Sequence, residues 1–559
     1  MDIVCYEYDQ GFVLERFREG EFDYLDCASE VCETEFFQYI GANKILEELA
    51  KTYPSPRKKQ EIPVWFYLAS NISMRLHGVH SFHSYAYVIR CGGMLNAFGP
   101  EIAHKARVPG SEDVTISCAG FNDKNEYDRQ TPCDQDFLRK FSKDTDAGRL
   151  MKWFNEDVAK VFKYHKAFDP EGIFIGDGSY LFVPDNPAYE GSVRMLFDEN
   201  NHPVESKSLK ELSPQKAAKC QWKRCYKMVS LLHTDRKGTF FYRVGLRILP
   251  GNEHECPVLY DLIDEFVGAV GAGVIKRLIL DRGFIDGAKI GKCKQEYGID
   301  VLMPLKKNMS IYEDALGLLK IPDVKFHEVI TPSTPKNIDP RVPEVIRRRE
   351  LKRQKTIQDR KAQEPPVPDK KILIRSEVTG LQRLTTLETC PIPLNVIVNR
   401  ETYADGHQDI WMLLDTKPFD PVKGPVLSRQ DYYLRTSIEE GHRQFKCFWD
   451  LTHFTSRAFS MVANQIVFVA LSYNLLQLHL KRKQREELNS QTLPQIQNQL
   501  LPNDSFIIIY CQNRFALVST YDYTELLLTL ARKIQTKILN KTRRIKRELA
   551  QQLQSPRPP

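Results

Sequence analysis

No CxxC pair occurs in this chain, although it contains 13 cysteines, an odd and scattered set. The nearest pairs, Cys27/Cys32 and Cys220/Cys225, have four residues between their members. A zinc ribbon needs tighter pairs, so the cysteines read as reduced thiols of a cytosolic protein. An unbroken apolar run is also missing. The longest apolar stretch, 458–476, is interrupted by Ser460, Asn464, Gln465, Ser472 and Asn474. That pattern indicates a buried core helix and not a membrane span. The first ten residues, MDIVCYEYDQ, carry no basic segment followed by an apolar one, so no secretory signal is expected. Internal repeats are absent as well. Charge is close to balanced: 79 basic and 72 acidic residues leave +7, so the distribution matters more than the total.

What is present is enough to build several cores. With 559 residues, 42% of them apolar and 27% charged, three or four domains are expected. Residues 62–91 read as one or two buried helices around a glycine turn. They carry His77, His80 and His83 at intervals of three. One helix face with three histidines could bind a metal, but Gly78 argues against a clean helix, and turn or core histidines are the alternative.

After Lys163 the pattern turns to strands. GIFIGDGSYLFV (172–183), WKRCYKMVSLLHT (222–234) and GTFFYRVGLRILP (238–250) are three of them, the last two joined by a hairpin turn. CPVLYDLIDEFVGAVG (256–271) has helical spacing. VIKRLILDRGF ends a strand at Asp281, a helix follows, and GIDVLMPLKK is the next strand. This order predicts an α/β sheet mixing hairpins and crossovers. Residues 310–407 read as an insertion. Its stretch 341–371 concentrates positive charge and then breaks at Pro365, Pro366 and Pro368, which suggests a basic arm or a solvated linker. Strands resume at 394–400 and 409–416. A hairpin at 506–520 leads into a basic final helix that includes Arg532, Lys533, Lys537, Arg543, Arg544 and Arg547.

Chemistry first shows in the carboxylates. Asp177 sits between two glycines in an apolar strand, where an uncompensated charge costs several kcal/mol, on the order of 2–7 for a buried polar group. Asp281 closes another apolar strand, where α/β sheets place functional groups. Either aspartate alone could simply cap a turn. Together with a helical glutamate they would make a cage of hard oxygen ligands for Mg²⁺ or Mn²⁺. Two such ions can activate a water or a 3′-hydroxyl and stabilise a leaving oxygen. The helix after 431, DYYLRTSIEEGHRQFKCFWD, offers Glu439 or Glu440. Tyr432, Arg435 and Glu439 lie at i, i+3 and i+7 and share a face, whereas Glu440 is turned away by about 100°. Lys446 would return to nearly the same face four turns on. A surface salt bridge between Arg435 and Glu439 is the plain alternative.

The spacing Tyr432-x2-Arg435-x3-Glu439-x6-Lys446 resembles the YREK signature of bacterial insertion-sequence DDE transposases, the group often called the fourth insertion-sequence family. IGDGSYLF and LILDRGF resemble its two aspartate strands, and IWMLLDT resembles the strand before its glutamate helix. The likeness runs from about residue 172 to 481. Two departures stand out: Thr436 replaces a usual tryptophan, and Gly441-His442 replaces paired aromatics. Both are expected to affect packing more than metal chemistry.

The resemblance implies an RNase H-like catalytic domain, a mixed sheet flanked by helices with a β-rich insertion. The expected layout is a mainly helical N-terminal domain over 1–165, which would bind transposon ends, and catalytic parts at 166–308 and 409–483. The insertion would span 309–408, and a helical C-terminal region 484–559. Asp177, Asp281 and Glu439 would be catalytic and hold two Mg²⁺ or Mn²⁺ ions. Tyr432, Arg435 and Lys446 would contact DNA phosphates, and Trp411 would stack on a flipped base. A core tryptophan is the alternative for Trp411. The implied partners are double-stranded transposon-end and target DNA, with a homodimer in the synaptic complex and no membrane. The implied location is cytoplasmic, at the nucleoid. A nuclease of the same fold that lacks strand transfer would not need Tyr432, Arg435 and Lys446 together. A domesticated DNA-binding protein would not need the carboxylates.

Overall fold

A computed structural model of the chain describes residues 7–28, 31–58, 63–85, 104–107, 114–117, 135–205, 214–322, 324–329, 373–418, 420–421, 423–493, 495–496, 506–512 and 514–554, with Val88 and Met94. The basic stretch 341–371 lies outside them. The chain divides into two compact units, 1–274 with 437–559, and 275–436.

In the first unit, the long strand Gln221–Thr234 is the spine of a sheet. Its residues Arg224–Thr234 pair antiparallel with the whole of Ile173–Val183. Val193–Phe197 and Tyr242–Pro250 pair antiparallel with it as well. The strands at 173–183 and 221–234 and the hairpin to 242–250 fall where alternation and turn residues predict them. The short Val193–Phe197 strand carried no clear signal. Helix Glu255–Val270 packs on this sheet by Leu259, Leu262, Ile263 and Phe266, all buried. The His254 side chain caps its first turn, and Gly271 ends it at φ +86°.

Helix Phe459–Arg482 is long and apolar enough to cross a membrane by length and composition, yet it is almost wholly buried in protein. The polar residues that break its apolar run explain this. Gln477 accepts from the backbone N–H of Phe241 at 2.7 Å and donates to its carbonyl at 3.0 Å. Asn474 does the same for Arg243, at 2.9 and 2.6 Å. The helix therefore satisfies backbone groups of strand Tyr242–Pro250, which is the work of a core helix.

The helix Val64–Leu76 ends at His77, and Gly78 turns the chain at φ +66°. The three histidines that follow go separate ways. His77 Nε2 lies 2.9 Å from Glu33. His80 sits between the Arg75 guanidinium at 3.0 Å and the Trp449 carbonyl at 3.1 Å. Burial and the Arg75 charge push its pKa down to about 3. His83 is exposed on a 3₁₀ turn. Their different partners leave no shared metal face.

The second unit is also a mixed sheet with helices. Arg277–Ile279 and Asp300–Pro304 are parallel, and Asp300–Pro304 runs antiparallel to Gln408–Asp415. Leu394–Tyr403 and Leu373–Leu384 extend this as an antiparallel meander. Strands Leu373–Leu384 and Leu394–Tyr403 are thus continuous with the strand that carries Trp411. Helix Gly287–Tyr297 crosses between the parallel strands, capped by Asp286 at its start and by left-handed Gly298 at its end.

Candidate functional site

Asp177 lies mid-strand, opposite Ser230 of the spine. Its neighbour Gly178 points to the other face, as strand alternation requires. A Cβ there would come within 2.6 Å of the Glu255 carboxylate, so the Gly-Asp-Gly signal has a packing cause. Glu255 is held by Lys227 at 3.2 Å.

On the Asp177 face stands His442, its Nε2 3.1 Å from Asp177 Oδ2. The other ring nitrogen, Nδ1, lies 3.3 Å from Nη2 of Arg243. Arg243 can only donate, so Nδ1 accepts and Nε2–H donates to the aspartate, which fits a neutral imidazole. Burial lowers the His442 pKa, while its bond to Asp177 raises it in part. Arg243 is fully buried. It also bonds the Gly441 carbonyl and Ser230 Oγ, and its guanidinium lies 4.0 Å from the Phe445 ring. Burial brings its pKa down to about 10. Gly441 leaves room for Phe241 at this point, and His442 hydrogen-bonds Asp177.

Helix Gly424–Arg443 carries the glutamate, and Glu439 is exposed on it. The helix then widens into a π-helical turn, Gln444–Phe448. More residues per turn shift the phase, so Lys446 does not simply repeat the face of Tyr432 as an ideal helix predicts. Its ammonium donates to Ser179 Oγ at 2.6 Å and to the Tyr180 carbonyl at 2.8 Å. Burial, with the Arg243 charge next in weight, lowers its pKa to about 8. Lys446 thus grips the strand that bears Asp177.

In the second unit, Asp281 follows its strand at the start of a 3₁₀ turn. Arg435 Nη2 lies 3.4 Å from Asp281 Oδ2. Burial raises the Tyr432 hydroxyl pKa, with Arg435 opposing. The strand is anchored from behind by Arg277. This guanidinium makes a bidentate pair with Asp415 at 2.6 and 2.8 Å and a third bond to Asp431 at 3.1 Å. All three side chains are buried.

Beside Asp281 opens a cavity of about 770 Å³, lined by Arg282, Lys306, Lys307, Asn308, Tyr312, Trp411 and Tyr432 among others. That volume is in the range of small-molecule sites, roughly 300–1,000 Å³. The Trp411 and Tyr432 ring centroids are 6.2 Å apart. Arg429 lies 5.2 Å from the Trp411 ring and is itself fixed by Asn399, Glu401 and Tyr433. Trp411 is only partly covered, so it is a wall of the cavity and not a core tryptophan. Lys306 and Lys307, which sequence reasoning passed over, follow a strand end, the position at which such sheets place ligand groups.

Each unit holds part of the expected set: Asp177, Glu439 and Lys446 in one, Asp281, Tyr432, Arg435 and Trp411 in the other. Among the described residues no three His, Cys, Asp or Glu side chains gather as a metal site.

The transposase DDE domain model matches residues 190–475, just over half of the chain. The chain belongs to the transposase DDE domain family. The family match takes in Asp281, Trp411, Tyr432, Arg435, Glu439 and Lys446, and begins after Asp177. No curated protein sequence matches the chain. Among solved structures, a piggyBac transposase synaptic complex with hairpin DNA is 12% identical, covering 73% of this chain and 67% of that one, with a TM-score of 0.31.

Proposed function

We propose that this protein is a DNA transposase of the YREK group that cuts and joins DNA at insertion-sequence ends on an RNase H-like catalytic domain. Beyond family membership, one observation supports this most: the second aspartate, three cations and three aromatic rings line one cavity of nucleotide size. Asp177, Asp281 and Glu439 are the catalytic carboxylates. Their hard oxygen donors suit Mg²⁺ or Mn²⁺, and these residues would hold two such ions. When bound, the ions would acidify an attacking water or hydroxyl and neutralise a leaving oxygen.

The other residues bind and orient. Arg435 and Lys446 hold phosphates of the DNA end, with Tyr432 beside them. Trp411 receives a base turned out of the duplex, which costs a few kcal/mol and is offset by stacking of about 1–3 kcal/mol per base. Arg429 keeps that ring in place. The reaction starts with a nick that frees a 3′-hydroxyl. That hydroxyl attacks the opposite strand to give a hairpin, the hairpin is opened, and the end joins target DNA. Two copies of the chain acting on two ends is the assembly this reading expects. A nuclease without strand transfer is the alternative, and the phosphate-binding residues disfavour it.

Trp411→Ala tests the cavity's role. Hairpin formation should fall at least tenfold while first-strand nicking stays near wild type, read on denaturing gels with a labelled end duplex. Equal loss of both steps would contradict stacking. His442→Ala tests the orientation of Asp177. Outer partners of metal ligands are commonly worth about 10–100-fold in metal affinity. Mn²⁺ titrated calorimetrically into the free protein should bind that much more weakly, and unchanged affinity would reduce His442 to packing.

A further inference from the structure

Residues 7–28 and 506–554 build one module, although nearly the whole chain separates them. Its sheet runs Glu7–Tyr8, Arg514–Ser519, Phe506–Cys511, Tyr24–Ala28. The first pair is parallel and the other two antiparallel. Val13, Phe17, Phe22, Ile507, Ile509 and Ile538 are buried together in its core. Helix Arg532–Gln554 docks there through Ile538 and Ile534. Lys537 pairs with Glu21 at 2.7 Å, and Lys541 donates to the Phe22 carbonyl.

The outer face of this helix has a different character. At about 100° per residue, Arg532, Lys533, Arg543 and Arg547 fall within one arc of roughly 100°, opposite Ile534 and Ile538. All four are exposed. No Asp or Glu occurs between residues 532 and 547, and among the described residues none of the four has a carboxylate partner. The row spans about 22 Å at 1.5 Å per residue. Phosphates along one DNA strand are spaced about 3.4 Å apart, so such a row covers roughly six of them. A basic amphipathic helix that binds a lipid surface does so by its apolar face. Here that face is spent on the module's own core, which leaves a rigid cationic rod suited to a polyanion.

We propose that this helix is a second DNA-docking surface, one that holds the phosphate backbone of duplex DNA without reading its sequence. The proposal rests on the DNA reading above but uses none of its site residues. Four exposed guanidinium and ammonium groups on a packed helix supply charge without having to order a loop, and counterion release is the driving force.

The test uses the full chain, a 30-base-pair duplex of unrelated sequence and no divalent cation, with affinity measured across a salt series. The variant carries Arg532→Gln, Lys533→Gln, Arg543→Gln and Arg547→Gln. Its slope of log affinity against log salt should be shallower by about 3–4, at roughly 0.9 per phosphate contact. A charge-keeping variant with Arg532→Lys, Arg543→Lys and Arg547→Lys should retain the wild-type slope, which separates lost charge from a damaged fold. An unchanged slope in the Gln variant overturns the proposal. So does loss of binding to anionic phospholipid vesicles, or to single-stranded RNA, with duplex binding kept. Because no cleavage is read, a wild type that never cuts DNA would refute the transposase reading and leave this result standing.

Discussion

Replacing Asp177, Asp281 or Glu439 singly by alanine is expected to abolish cleavage at the element's ends while leaving end binding within a few-fold of wild type. A carboxylate that holds a catalytic cation contributes almost nothing to gripping a polyanion; its removal deletes chemistry and not affinity. Loss of at least three orders of magnitude in rate is expected, in keeping with the effect of deleting a central catalytic group. Glu440 supplies the internal control. Glu440→Ala should cleave normally. Normal cleavage by Glu439→Ala with loss in Glu440→Ala would shift the register of the helix by one. Arg435→Ala should differ in kind, because its guanidinium touches Asp281 in the free protein: both end affinity and rate should fall.

Arg277→Ala is expected to destabilise the second unit strongly. Its guanidinium is buried and neutralises two buried carboxylates, those of Asp415 and Asp431. Burial alone would lower its pKa, yet the two aspartates outweigh that and raise it. Breaking a buried pair from one side costs about 3–5 kcal/mol, because the remaining charge stays desolvated. Against total stabilities of about 5–15 kcal/mol, that is a large fraction. Ser428 Oγ and the Lys417 N–H still bond Asp415, and neither brings a countercharge. Hydrogen exchange across Arg277–Ile279 and Gln408–Asp415 should speed up by at least a hundredfold. Adding Asp415→Asn and Asp431→Asn to Arg277→Met should recover much of the loss, since no charge is then stranded. An Arg277→Ala protein with unchanged exchange would mean that the pair carries no stability.

The sequence made these elements legible to very different degrees. Alternation and turn residues located the strands around Asp177 and the hairpin at 221–250. The LILDRGF and GIDVLMPLKK strands were equally plain, because local periodicity suffices for them. Buried amides in Phe459–Arg482 correctly marked a core helix, and the structure adds what they do: they bond backbone groups of a strand more than 200 residues away in sequence, at Phe241 and Arg243. The sheet joining residues 7–28 to 506–554 left no local trace, since pairing over that separation depends on tertiary packing. The partners of His442 left no local trace for a related reason. Its role follows from Arg243 and Asp177, neither near it in sequence, and a helix position shows only its own turn. The π-helical turn at Gln444–Phe448 likewise has no simple compositional mark, so the face of Lys446 was drawn on an ideal helix. Arg277 carries no mark in its own strand, because Asp415 and Asp431, which enclose it, lie 138 and 154 residues away in sequence.

Joining DNA ends as well as cutting them is what separates a transposase from a nuclease of the same fold. The decisive measurement is a strand-transfer assay with purified wild-type protein, a labelled duplex bearing the inverted repeat that flanks the gene, a supercoiled plasmid target and Mg²⁺. Transposition should give a nick at the element's end, a hairpin species, and then label covalently joined to plasmid, all lost together in Asp281→Ala. Cleavage to linear ends with no hairpin and no joined product would contradict it and leave a nuclease.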